Sequence, residues 1–397
     1  MTTFAGSGTS AVIDGTGVGA SFQNPQGIAT DSSGNVYVGD STMIRKISSA
    51  SVVTTFVGSA TAGYQDGTGT NAKFAQGWFM CFSPDGNLYF IDNNNVRVRK
   101  VTMAAVVTTV AGQGIIGTSD GIGTNAKFSS DMWGCTADTQ GNLFVANHGS
   151  NTVRKIASAA SSAPLVTTLA FSNIAGNIDG TGTAAELNGP SDIAADTNGN
   201  LFVTMSAGNS VRRITPAGSI TTLAGSLSGT AGYADGLGTA ALFICNNNYC
   251  GMSIDSSAVL YVLERGPGRI RRVTPAGGVT TVAGSTSGGF SDGVGTAALF
   301  NSPVGLVVSA DGNFIYVAEY NYRVRSVLIS SSFANGEWRF HFIQHHISFH
   351  NNFHLLFSIV VARSALLFRP TVRRQHVHDS ELGYVFLVAS FCSLTAL

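Results

Sequence analysis

The sequence predicts an all-β fold, a six-bladed β-propeller of four-stranded blades, on three observations. The pattern D-G-x-G-x-x-A-x-[F/L] begins at Asp14, Asp66, Asp120, Asp179, Asp235 and Asp292, with successive spacings of 52, 54, 59, 56 and 57 residues. Between its copies lie short runs rich in Val, Ile and Thr, whose stiff branched side chains suit a pleated surface. Gly is abundant, at 48 of 397 residues, and charged residues are only 11%, which fits tight turns between short strands and not a helical bundle. A period slightly above the usual blade length implies one long loop per blade.

The first unit shows the pattern of strands. Gly27–Thr30 leads through the turn DSSGN to Val36–Asp40, then Met43–Ile47, then Val53–Gly58. The turn recurs at Ser83–Asn87, Asp138–Asn142 and Asp196–Asn200, where Gly or Asn takes a positive φ at low cost. The fourth strand recurs as VVTTVAG, LVTTLA, ITTLAG and VTTVAG. The sixth unit supplies only three strands, Gly305–Ser309, Phe314–Glu319 and Arg323–Ile329. Thr2–Gly6 reads like the missing fourth. The N-terminal strand is therefore expected to close the last blade, which removes an open edge. This gives a propeller over residues 1–329 and a separate segment over 330–397.

The repeats resemble the NHL-repeat family, through N-x-[Y/F]-V, a following acid, and a [V/I]-R-[K/R]-[V/I] strand, over roughly residues 2–329. The resemblance implies the propeller fold. It leaves the activity open, because the family includes protein- and RNA-binding modules, sensor domains and a few lyases.

Charge narrows the field. The chain has 22 basic and 22 acidic residues, and within 1–329 the balance is 17 against 19, so there is no basic footprint for nucleic acid. Histidine is scarce: only His148 falls in the repeats, too few for a zinc site like that of the amidating-lyase propellers. His148 alone reads as a solvated loop residue.

Strand 2 of each blade ends at Asp40, Asp92, Asn147, Met205, Glu264 or Glu319, a partial ring of acids at one mouth of the propeller. The next strand begins with Met43, Arg97, Thr152, Ser210, Arg269 or Arg323, so acid and Arg coincide except at Asp40. These are expected to pair across each hairpin, leaving Asp40 free for a ligand. The candidate binding residues, on the loop face and channel mouth, are Asp40, Asp92, His148, Glu264 and Glu319. No cofactor is expected; a divalent metal such as calcium is the one that the acids would take.

The D-G-x-G loops read as architecture because they recur in every blade, with the Asp capping a turn and Phe22, Phe74, Phe128, Leu187, Phe243 and Phe300 anchoring between blades. The basic pairs Arg45/Lys46, Arg99/Lys100, Arg154/Lys155, Arg212/Arg213 and Arg271/Arg272 alternate, so their members should point to opposite faces of the strand. Five cysteines at scattered spacing make no disulfide framework. Cys81 and Cys135 read as buried hydrophobes, and only Cys245 and Cys250 are close enough for a local bridge.

Residues 330–397 hold seven of the eight His, nine of the 24 Phe and two of the 48 Gly. Two apolar stretches, His354–Phe368 and Gly383–Leu397, are short for a membrane span. The segment reads as sequence foreign to the propeller, poorly packed or a gene-model artefact, with a membrane anchor as the other reading. MTTFAGSGTS contains no secretory signal, which is compatible with a cytoplasmic chain or an incomplete N-terminus. The leading expectation is a monomeric, non-enzymatic binding scaffold that presents its loop-rich face to a protein or other ligand. The alternative is a metal-dependent hydrolase or lyase using channel carboxylates.

Overall fold

A computed structural model describes residues 1–169, 174–245 and 249–329. The expectations for the C-terminal segment, residues 330–397, lie outside them. The described residues form six antiparallel sheets, with no α-helix among them. Blade 1 runs outward as Pro25–Thr30, Val36–Asp40, Met43–Ile47 and Val52–Gly58. Each inner strand packs against the inner strand of the next blade, and Pro303–Val308 of blade 6 packs back on Pro25–Thr30, closing the ring.

The last blade closes as the sequence predicts. Thr2–Ala5 pairs antiparallel with Arg323–Leu328, with Thr2 facing Ser326 and Thr3 facing Arg325. Each blade has the four strands that the sequence predicts, with one addition. Blades 1 to 5 each carry a fifth, two-residue strand from the D-G-x-G loop, as where Gly15 and Thr16 pair with Val53 and Val52. The loop thus doubles back along the outer edge of the blade it precedes, satisfying backbone groups that would otherwise be exposed. In blade 6 the Met1 amine donates to the Gly293 carbonyl at 2.6 Å.

Gly58 and Gly225 end outer strands at φ 95° and 98°, and a Cβ on Gly58 would lie 2.5 Å from the Thr42 carbonyl oxygen. Only Gly makes this exit into the loop without strain. The core lies between blades: Phe22, Phe74, Phe128, Leu187, Phe243 and Phe300 are all buried, as the loop motif requires.

Candidate functional site

Arginine organises each blade. The third residue of strand 3 is Arg45, Arg99, Arg154, Arg212, Arg271 or Arg325, and every one is fully buried. Each donates from Nη2 to the Asp of the D-G-x-G loop. Arg45 reaches Asp14 and Arg99 reaches Asp66 at 2.7 Å, Arg271 reaches Asp235 at 2.8 Å, and Arg154 reaches Asp120 at 3.0 Å. Arg212–Asp179 and Arg325–Asp292 complete the set. The second basic residues, such as Lys46 and Lys100, turn to the other face and are half-buried, as alternation dictates.

The strand-2 acids lie beside these arginines, and here the predicted partners are corrected. Asp40 is fully buried and pairs with Arg45 at 3.1 Å, so it is not the free member of the ring. Asp92 pairs with Arg99 at 2.8 Å, Glu264 with Arg271 at 3.3 Å, and Glu319 with Arg325 at 3.3 Å. The partner is the arginine two residues beyond the directly opposed position, a diagonal that a long side chain can span. Only Glu264 also takes the directly opposed Arg269, at 3.1 Å. Each acid also anchors a 4–1 loop, the D-G-x-G loop that runs from strand 4 of one blade to strand 1 of the next: Asp40 accepts from the Gln23 and Asn24 amides, Asp92 from Ala75, Glu264 from Ile244, and Glu319 from Asn301. Asn147 does the same for Ser129 without a charge. Burial pushes the carboxyls of Asp40, Asp92 and Glu319 above their ordinary range, while the arginines and amide donors pull them down.

The first-position arginines follow the loop aromatics. Arg97 lies over Tyr64 at 3.8 Å, Arg269 over Tyr233 at 3.7 Å, and Arg323 over Phe290 at 4.4 Å. Val12, Thr118 and Asn177 hold the aligned loop position in blades 1, 3 and 4, whose strands begin with Met43, Thr152 and Ser210. The covariation of acid and Arg in the sequence thus accompanies a cation–π stack.

A different carboxylate faces the channel. The aligned inner-strand position, one before Ile28, Met80, Cys135, Ile193, Met252 and Leu306, is Gly27, Phe79, Gly134, Asp192, Gly251 or Gly305. A Cβ on Gly134 would fall 1.9 Å from Asp192 Oδ1, which shows how tightly the channel wall packs there. Asp192 is buried and accepts hydrogen bonds from the Met252 amide at 2.8 Å, the Ile193 amide at 2.9 Å, and the Tyr249 hydroxyl. No basic side chain among the described residues pairs with it. Burial pushes its carboxyl up to about 7, against those hydrogen bonds. The sequence reading missed Asp192, although an acid at a position that reads Gly in four of six blades is a visible signal.

A cavity of about 260 Å³ extends from the level of Asp192, Tyr249 and Phe79 to the far ends of the inner strands, at Thr30, Phe82, Ile254 and Val308. Tyr249 and Phe79 pack ring to ring at 4.6 Å. Tyr249 sits within the loop closed by a Cys245–Cys250 disulfide, the one bridge that spacing allowed. Cys135 is buried as expected, while Cys81 is only half-buried.

The expectation of a solvated His148 is corrected. It stacks on Trp133 at 3.7 Å, its Nε2 lies 3.1 Å from the Ser206 hydroxyl, and its buried Nδ1 has no hydrogen-bond partner. Burial lowers its pKa. Its hydrogen-bond and stacking partners, Ser206 and Trp133, do not include any of the four predicted acids, each of which pairs with an arginine of its own blade. No group of three metal-ligating side chains occurs among the described residues.

Among the described residues, most large apolar side chains left exposed belong to the 4–1 loops. At the variable position of D-G-x-G, Ile122 is 54% exposed, Leu237 66% and Val294 88%, where blades 1, 2 and 4 carry Thr16, Thr68 and Thr181.

Residues 10–173 match the family model of the Teneurin NHL domain. No curated protein matches the chain. Among solved structures, a protein of unknown function from Bacteroides thetaiotaomicron is 20% identical, with a TM-score of 0.60 over 82% of this chain and 74% of its own. Two auxiliary nutrient binding proteins are also similar. That from B. thetaiotaomicron is 17% identical, with a TM-score of 0.59 over 82% of this chain and 75% of its own. That from Bacteroides ovatus is 16% identical, with a TM-score of 0.60 over the same shares. At these identities the likeness concerns the fold.

Proposed function

We propose that this chain, whose residues 10–173 match the model of the Teneurin NHL domain, is a non-enzymatic scaffold that binds a protein partner through its 4–1 loops. One observation carries the reading. The strand-2 acids that could have formed a reaction centre are each joined to a buried arginine, while the exposed apolar side chains gather on the loops. Apolar residues exposed singly are ordinary, but their recurrence at one aligned loop position suits a partner surface. The description of two similar structures as nutrient binding proteins is in keeping with binding.

The test uses the protein's own repeats. Ile122→Thr, Leu237→Thr and Val294→Thr together give blades 3, 5 and 6 the residue that blades 1, 2 and 4 already carry, so the fold should stand. Cross-linking capture from a cell extract is compared between the parent chain and this variant. The reading predicts a partner lost by the variant at unchanged Tm; a partner retained in full would contradict it.

A further inference from the structure

We propose that the central channel holds a binding site for a small organic cation, an alkylammonium ion, with Asp192 as its counter-ion. Six carboxylates are buried among the described residues: Asp40, Asp92, Asp138, Glu264, Glu319 and Asp192. Four of them have arginine partners at 2.8 to 3.3 Å. Asp138 has none but is capped within its own turn by the Gln140 and Asn142 amides and the Asn142 side chain. Asp192 has none either, and it lines the cavity of the channel. A buried carboxylate is costly without a compensating charge, and here the fold supplies only two amides and a phenol.

The cavity suits a cation of modest size. Its volume of about 260 Å³ leaves room for a short alkyl chain beside the charge. Met252, Ile193 and Leu306 offer apolar contacts, and Ser253 and Thr30 contribute hydroxyl groups along the wall. Phe79 and Tyr249 stand at the same level as Asp192 and present aromatic rings to the charge. Oδ1 accepts only the Ile193 amide, so a carboxylate lone pair remains for an ammonium donor. This site is independent of the loop surface, and each can fail without the other.

The experiment is calorimetric titration of the full chain with n-butylammonium chloride, with n-butanol and calcium chloride in parallel. Binding of the amine requires ionised Asp192. With that carboxyl at about 7, affinity should fall roughly thirtyfold between pH 8 and pH 5.5. The expected result is amine binding at pH 8 that weakens by about this factor, is not reproduced by butanol or calcium, and disappears in Asp192→Asn. Binding unchanged by pH, equal binding of butanol, preferential binding of calcium, or no amine binding at pH 8 would each overturn the proposal. The pH comparison is made on the parent chain, so the test stands even if Asp192→Asn fails to fold.

Discussion

Arg99 lies 2.8 Å from Asp92 and joins that buried carboxylate to the exposed Asp66 of the preceding loop, at 2.7 Å. One side chain therefore ties strand 2, strand 3 and the 4–1 loop together. Its two carboxylates are in different surroundings, since the Asp92 side chain is fully buried and that of Asp66 is 46% exposed.

Removing the arginine should cost far more than removing the outer acid. Arg99→Met leaves Asp92 buried and unpaired, with an expected loss of about 3–5 kcal/mol. Asp66→Asn removes a solvent-screened pair and should cost no more than about 1 kcal/mol. Asp92→Asn should be the milder change at the inner acid, because Asn147 fills that position in blade 3 and still accepts the loop amide. Urea unfolding of the three variants checks the order.

Asp192 should make stability depend on pH. Its folded value of about 7 lies above the unfolded value near 4, so the folded state holds the proton more tightly. That contribution favours folding below about pH 4 and is lost as pH rises to about 7. Asp192→Asn removes the group, so the parent chain should lose stability relative to the variant across this window, by up to roughly a few kcal/mol. Urea unfolding at several pH values reads the slope, which is separate from any constant cost of the substitution. A difference that stays flat from pH 4 to 8 would contradict the assignment.

The Cys245–Cys250 bridge closes a short loop that carries Tyr249 to Asp192. A double Cys→Ser variant should lose about 2 kcal/mol by the chain-entropy estimate. It should also change the titration of Asp192, because the phenol is freed to move. Carboxyl carbon NMR of the oxidised and reduced protein tests the second effect.

The N-terminal strand should be needed for closure. Deleting residues 1–6 leaves the edge of Arg323–Leu328 unpaired. The expected outcome is a lower Tm and concentration-dependent association, read by light scattering.

The blade pattern was legible because Asp14 and its five counterparts recur at nearly fixed intervals, and because Thr2–Gly6 completes a count of strands. The two-residue fifth strand was not legible, since Gly15 and Thr16 carry no strand signal and pair only because the loop folds back. The acids were found, but their partners were displaced by two residues. Register alone sets Asp92 opposite Arg97, whereas side-chain length and the stack on Tyr64 decide the pairing with Arg99. Asp192 and Tyr249 were missed because they are distant in sequence and meet only when neighbouring inner strands line the channel.

The central claim is that Asp40, Asp92, Glu264 and Glu319 build the frame and hold no catalytic metal. Thermal unfolding of the full chain with and without excess calcium, magnesium, manganese or zinc tests it most directly. The account predicts a Tm unmoved by each metal. A metal bound well below its added concentration would raise Tm by several degrees; such a rise, abolished by Asp40→Ala, would contradict the account.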